Sequence, residues 1–244
     1  MLRKVGSLLW VLCGAVIIVL FCRSFVCMLF TVPTADKEPF FKQGDRVLVD
    51  RWSYGFRAPF STRFGYHKWG KGFPQNGDWA VFNYPLVHHS ELPDTSALCL
   101  GQVMASPGDT IWMGREGKVG RCRDYVRGHI WPIPVPAKGA YIQVMPWANR
   151  IYRMTMEMHE AEAVDLMPLD SFEAIQEGGN TCVRFSRNYY WISSGSEENV
   201  FDSRTFGFVP EEFFMGKARC VLYSIQPAKE WKEAWRKDRF CSPL

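Results

Sequence analysis

Three things are scarce in this 244-residue chain, and each closes off a class of function. It has no dense block of lysine and arginine: the formal net charge of +4 is spread along the chain, which leaves nucleic-acid binding without electrostatic support. The eight cysteines show no CxxC spacing, and no set of Cys, His, Asp or Glu stands at ligand spacing, so no metal or other cofactor is expected. Flexible linkers and internal repeats are lacking too, which argues against a string of independent domains. The cysteines do not suggest a disulfide scaffold: Cys13, Cys22 and Cys27 lie in or near an apolar run, and Cys99, Cys122, Cys182, Cys220 and Cys241 are widely spaced and odd in number. They read as buried thiols.

At 47% hydrophobic and 22% charged residues, the chain has enough apolar surface for one or two sizeable cores. Val5 to Cys22 is a run of roughly 18 residues without a charge, long enough to cross a hydrocarbon core as one helix. Arg3 and Lys4 precede it, and the positive-inside rule then holds the N-terminus in the cytoplasm and sends the remainder outward. A cleaved signal peptide is the competing reading, but Cys22, Arg23, Phe25, Met28 and Phe30 supply no small-x-small site, so a retained anchor is favoured. The expected organisation is a cytoplasmic end at 1–4, an anchor and exit segment at 5–31, and an extracytoplasmic domain at 32–244 with an inserted region about 111–180.

Beyond the anchor, short β-branched and aromatic segments are bounded by Gly, Pro, Asn and Asp, the punctuation of strands. Arg46–Asp50, Trp79–Tyr84, Leu100–Ala105, Cys182–Phe185, Tyr189–Ser193 and Cys220–Ile225 are predicted as strands. Helix is predicted from Leu169 to Gln176 and around Trp231 and Trp235, which stand at i, i+4 spacing among Lys and Arg. That tail could pack on the domain or rest at a membrane interface. Trp131 to Pro136 alternates with proline and reads as a rigid connector into the inserted region. The fold class is therefore mostly β behind one transmembrane helix.

Five sequence motifs, the last of them in three pieces, carry more. Val32-Pro33-Thr34-Ala35-Asp36-Lys37-Glu38-Pro39 is followed by Gly44-Asp45-Arg46-Val47-Leu48-Val49-Asp50-Arg51. Next come Asn76-Gly77-Asp78-Trp79-Ala80-Val81-Phe82-Asn83-Tyr84-Pro85 and Val103-Met104-Ala105-Ser106-Pro107-Gly108-Asp109-Thr110. Asp202-Ser203-Arg204, Phe206-Gly207-Phe208-Val209-Pro210 and Gly216-Lys217-Ala218 complete the series. In this order, behind one anchor, they resemble the type I signal peptidases, membrane-anchored serine endopeptidases. The resemblance implies an antiparallel β-sheet ectodomain on the outer face of a bacterial cytoplasmic membrane, with signal peptides of exported preproteins as partners.

That chemistry needs a hydroxyl nucleophile and an unprotonated amine beside it, because a serine attacks only when a neighbouring base takes its proton. The resemblance places the nucleophile at Asp36 and the lysine base, six residues before the Pro107 turn, at Gly101. It implies an oxyanion-side hydroxyl at Thr34 and a supporting salt bridge within Asp202, Ser203 and Arg204. Substitutes are poor. Lys37 neighbours Asp36 and points to the opposite face of an extended segment. Thr34 lacks an aligned base. His67, His88, His89, His129 and His159 do not occupy the base position, and an Asp36–Asp202 carboxylate pair competes with the Arg204 salt bridge. Val200 stands where the family has a hydroxyl, and Ser194 to Glu197 replace its Gly-Asp-Asn-Arg segment. The turn glycines Gly44, Gly77, Gly108, Gly207 and Gly216 remain.

Two functions follow. In the favoured one the chain is a pseudopeptidase that binds exported peptides, an active signal peptidase or a secretion-machinery protein. In the other it is a working signal peptidase with a non-standard catalytic arrangement. Phe40, Phe41, Trp52, Phe56 and Phe60 are candidates for membrane contact or ordinary core. A carboxylate at Asp36 predicts a hydrated pocket or a side chain turned to solvent.

Overall fold

A computed structural model describes residues 10–16, 26–33, 40–57, 68–70, 72–85, 97–114, 118–121, 130–160, 181–195, 201–226 and 234–244. In chain order the strands begin with β1 (Cys27–Thr31), β2 (Asp45–Asp50), β3 (Phe56–Arg57), β4 (Lys68–Trp69), β5 (Trp79–Asn83) and β6 (Leu98–Ala105). They continue with β7 (Thr110–Gly114), β8 (Val119–Gly120), β9 (Ile130–Pro134), β10 (Tyr141–Val144) and β11 (Thr181–Arg184). The last are β12 (Tyr189–Ser193), β13 (Val209–Pro210), β14 (Phe214–Ser224) and β15 (Ser242–Pro243). Eight of them make an antiparallel sheet in the order β1-β2-β14-β5-β6-β12-β13, with β15 beside β14.

Side-chain period explains which strands lie where. β2 buries Asp45, Val47 and Val49 and turns the residues between them outward, as a strand with one covered face does. β5 buries all five of its residues, because both of its faces are covered. One face carries Phe30, Val32, Val47, Val49, Trp79, Val81, Leu100, Ala218 and Val221 in a single cluster. β1 and β6 are separated by three strands in the sheet, and residues of all five strands contribute to that one cluster. The opposite face packs Ala80, Phe82, Val103, Tyr190, Ile192, Phe206 and Phe214.

A second lobe is built from the sheet β8-β7-β9, the ribbon β10-β11 and helix α1 (Asn149–His159). Ile151, Tyr152, Thr155, Met156 and His159 recur at helical spacing and form its buried face. Ile151, Tyr152 and Met156 join Ala105, Tyr189 and Trp191 of the main sheet in one core.

Three sequence expectations are corrected. Trp131–Pro136 is no connector: Ile130–Pro134 is a strand, and Pro132 and Pro134 are tolerated because β9 is an edge that needs its donors on one side only. Trp235 is not helical; it bridges to Ile225 and stacks on Tyr223 with ring centroids 5.6 Å apart, while Trp231 lies outside the described residues. Gly216 sits within β14 at an irregularity rather than at a turn, where a Cβ would come within 2.5 Å of the Asp50 carbonyl. The predicted helix 169–176 lies outside the described residues. Residues 10–16 of the apolar run are helical, and no helix among the described residues is long and apolar enough to cross a membrane.

Candidate functional site

Gly101 stands in the middle of β6, opposite Ala80 of β5. It is buried, and the space a side chain would need is taken. A Cβ built on Gly101 would lie 2.3 Å from Ile192 Cγ2, 3.1 Å from the Ser193 carbonyl oxygen and 3.4 Å from Phe82 Cε1. Real Cβ atoms essentially never come within 3.0 Å of another group, so even alanine would force Ile192 to move. Ile192 is held there by register: β12 pairs with β6 at Ile192–Val103 and Ser193–Gln102, with an irregularity just before Ile192.

The turn 202–207 fixes β12 from behind. Asp202 caps the one-turn helix α2 (Ser203–Phe206), accepting from the Arg204 amide at 3.0 Å. Its carboxylate is almost fully buried and takes two further bonds from Arg204, from Nε at 3.0 Å and from Nη2 at 2.8 Å. The Ile192 amide donates to Ser203 Oγ at 2.9 Å, and the Ser194 amide to Asp202 Oδ2 at 3.3 Å. Gly207 makes the turn with φ of 78°, and a Cβ there would approach Thr155 Oγ1 of α1 to 2.7 Å. The turn thus links α1 of the second lobe to the strand that covers Gly101.

A lysine does lie on the same row of the sheet. Lys217 of β14 is opposite Ala80, which is opposite Gly101. Its Nζ donates to Asp78 Oδ1 at 2.6 Å, and Tyr54 OH donates to Asp78 Oδ2 at 3.1 Å. Burial, with the Asp78 carboxylate beside it, pushes the Tyr54 phenol far above its usual range. An ammonium gripped by a carboxylate is a structural cation and a poor candidate for the neutral amine that general-base work requires.

Among the described residues β6 pairs with β5 over Leu98–Gln102 and with β12 over Gln102–Ala105. β1 pairs with β2 alone among the described residues. The chain leaves β1 through Val32 and Pro33 and returns at Phe40, and its two ends are tied: the Val32 amide donates to the Asp45 carbonyl at 2.9 Å and the Gly44 amide to the Val32 carbonyl at 3.0 Å. A β-sheet whose edge strand β1 pairs on one side only among the described residues can take up an extended chain as an added strand.

Residues 5–223 match the family described as "Signal peptidase, peptidase S26". The chain belongs to this family. It is 25% identical over 228 residues to the signal peptidase I of Aquifex aeolicus, covering 86% of this chain and 80% of that protein. To the signal peptidase I of Pseudomonas aeruginosa it is 26% identical over 226 residues, covering 85% and 68%. A Buchnera aphidicola signal peptidase I, from the subspecies of Schizaphis graminum, is 24% identical over 249 residues, covering 91% and 76%.

Of the residues that signal peptidase motifs single out, Gly101, Asp202, Ser203 and Arg204 are brought together through Ile192 and Ser194. Thr34, Asp36, Lys37 and 196–200 lie outside the described residues, as do His67, His88, His89 and His129. His159 is at the end of α1, its ring 5.1 Å from that of Phe213. Phe41 is core, whereas Phe40 and Trp52 are about half exposed. A groove of about 370 Å³ lined by Asn149, Arg150, Arg153, Met154 and Glu157 is on α1, in the other lobe. Among the described residues no three His, Cys, Asp or Glu side chains gather as metal ligands, and no disulfide is formed. Sequence reasoning missed Ile192 and the Lys217–Asp78–Tyr54 set. Asp78 and Lys217 were each inside a recognised motif, but nothing in either motif says that the two meet.

Proposed function

We propose that this chain is a catalytically inactive member of the signal peptidase family that binds extended segments of exported polypeptides without cleaving them. The observation that carries this reading is the contact between Gly101 and Ile192: at the position the motifs give to the base, the chain has no side chain, and hydrocarbon fills the volume. Asp36 at the nucleophile position points the same way, since a carboxylate offers neither the hydroxyl nor the proton that acyl transfer begins with. The bound segment would add as a strand along the β1 edge of the sheet, with main-chain hydrogen bonds giving affinity. The anchor reading places the site outside the membrane: residues 5–22 span the cytoplasmic membrane once, N-terminus inside, and 32–244 lie on the outer face beside emerging preproteins. An active signal peptidase or another secretion protein could share that site.

The test is cleavage and binding of one fluorogenic signal peptide by the full-length protein in detergent. Expected are no turnover, measurable binding, and no activity from Asp36→Ser with Gly101→Lys unless Ile192→Ala makes room for the lysine. Turnover by the unaltered protein that disappears with Thr34→Ala or Asp202→Asn would establish the alternative, a working peptidase with an unfamiliar arrangement.

A further inference from the structure

Asp45 has no exposed surface, yet it is a carboxylate that opens a strand. Burying such a charge is tolerable only if cations and donors surround it. Its Oδ2 accepts from the Lys42 amide at 2.9 Å and from Arg239 Nη2 at 2.7 Å, and Arg236 Nη1 stands 3.8 Å from Oδ1. Both arginines come from the C-terminal segment. The same guanidinium groups reach past the carboxylate: Arg239 Nη2 donates to the Phe40 carbonyl at 2.8 Å, and Arg236 Nη1 donates to the Gln43 carbonyl at 2.9 Å and to Ser224 Oγ at 2.8 Å. Gln43 in turn donates from Nε2 to the Pro33 carbonyl at 2.9 Å. Phe40 and Pro33 are the two residues that bracket 34–39, the segment holding the nucleophile position.

We propose that Arg236 and Arg239 are positioning residues for the peptide cleft: the C-terminal segment is a clasp that holds Pro33 and Phe40, on either side of 34–39, through Asp45, the Phe40 carbonyl and Gln43. The claim about the cleft rests on the reading in the preceding subsection. Each arginine makes these bonds from one nitrogen, Nη2 of Arg239 and Nη1 of Arg236, and the planar guanidinium fixes the direction of its N–H groups where a rotating ammonium would not. The clasp is docked independently of these side chains, by the Gln226 amide to the Ala234 carbonyl at 2.8 Å, the Arg236 amide to the Ser224 carbonyl at 3.1 Å, the Cys241 amide to the Leu222 carbonyl at 3.2 Å, and the pairing of β15 with β14. Removing the two guanidinium groups should therefore free the loop ends and leave the tail in place.

Arg236→Gln with Arg239→Gln tests this in the full-length protein, beside a second variant that adds Asp45→Asn so that no lone charge stays buried. Hydrogen exchange at the Val32 and Gly44 amides, whose bonds close the loop, should speed up by roughly tenfold in both variants while Val103 and Tyr190 keep their protection. Signal-peptide affinity should fall by roughly tenfold, and Arg239→Lys should not restore it. Unchanged exchange at Val32 and Gly44 in the folded triple variant would overturn the clasp. Faster exchange with unaltered peptide affinity would overturn its role in the cleft. If the unaltered protein binds no peptide, the binding reading fails by itself, and the exchange measurement still decides whether the clasp holds the loop.

Discussion

The space around Gly101 and the space around Asp202 lie on the same stretch of β12 and are treated in opposite ways. Beside Asp202 every element of a buried polar network is present: a bidentate arginine, a helix cap and two backbone donors on one carboxylate. Beside Gly101 the nearest groups are the Ile192 side chain, the Ser193 carbonyl and the Phe82 ring, none of them charged. The two sites sit only two residues apart on β12, at Ile192 and Ser194, so the difference does not come from burial. It follows from what each group does. Asp202 and Arg204 hold a strand in register, which any protein with this sheet needs, whereas a buried amine opposite an apolar wall serves proton transfer alone and costs desolvation whenever it is not used.

The largest effect should come from breaking the polar side of this contrast. Arg204→Ala leaves the Asp202 carboxylate buried and unpaired, and should cost about 3–5 kcal/mol in urea unfolding. Adding Asp202→Asn should recover much of that loss. If Arg204→Ala alone is nearly neutral, the network is less important than the packing around it. On the apolar side, Gly101→Ala should cost about 1–3 kcal/mol through overpacking. In an Ile192→Ala background the same change should cost less, since the methyl then fills a cavity; additive losses would mean that Ile192 does not own the space.

The smallest effect is electrostatic and at the surface. Burial opposes ionisation of Asp50, but hydrogen bonds from Arg219, Ser53 and the Trp52 amide outweigh it and hold the carboxyl below its ordinary range. A depressed folded pKa means that this stabilisation is complete above the unfolded carboxylate pKa of about 3.9 and is lost as the pH falls through the folded value. Arg219 is half exposed, so Arg219→Ala should lower stability at neutral pH by less than about 1 kcal/mol and flatten the acid limb of the unfolding curve. An identical acid limb in wild type and variant would remove Asp50 from that account.

Much of the sheet was legible because its strands are short, β-branched and punctuated. Tyr189–Ser193 was located to the residue, and β2, β5, β6 and β11 to within two residues at either end. β14 starts six residues before its predicted beginning at Cys220, because irregularities at Gly216 and again beyond Ala218 break the alternation on which the reading relied. Helix α1 was missed although Ile151, Tyr152, Thr155, Met156 and His159 carry the helical period; its Met, Thr and Arg content gave no strong apolar stripe. At Trp235 the opposite happened. A genuine i, i+4 pattern was overridden by a tertiary bridge to Ile225 and by stacking on Tyr223. Membership of the signal peptidase family was readable from motif order alone, and the match over 5–223 agrees with it.

By itself the sequence determined which chemical groups stand at the motif positions: a carboxylate at Asp36, no side chain at Gly101, and an aspartate and arginine two residues apart at Asp202 and Arg204. Those are local facts, set by spacing along the chain. Only the tertiary structure decided that Ile192 occupies the space beside Gly101, that Lys217 is committed to Asp78, and that Arg239 meets Asp45 from 194 residues away. Strand pairing sets these neighbours, and a shift of one residue in register would turn each side chain to the opposite face.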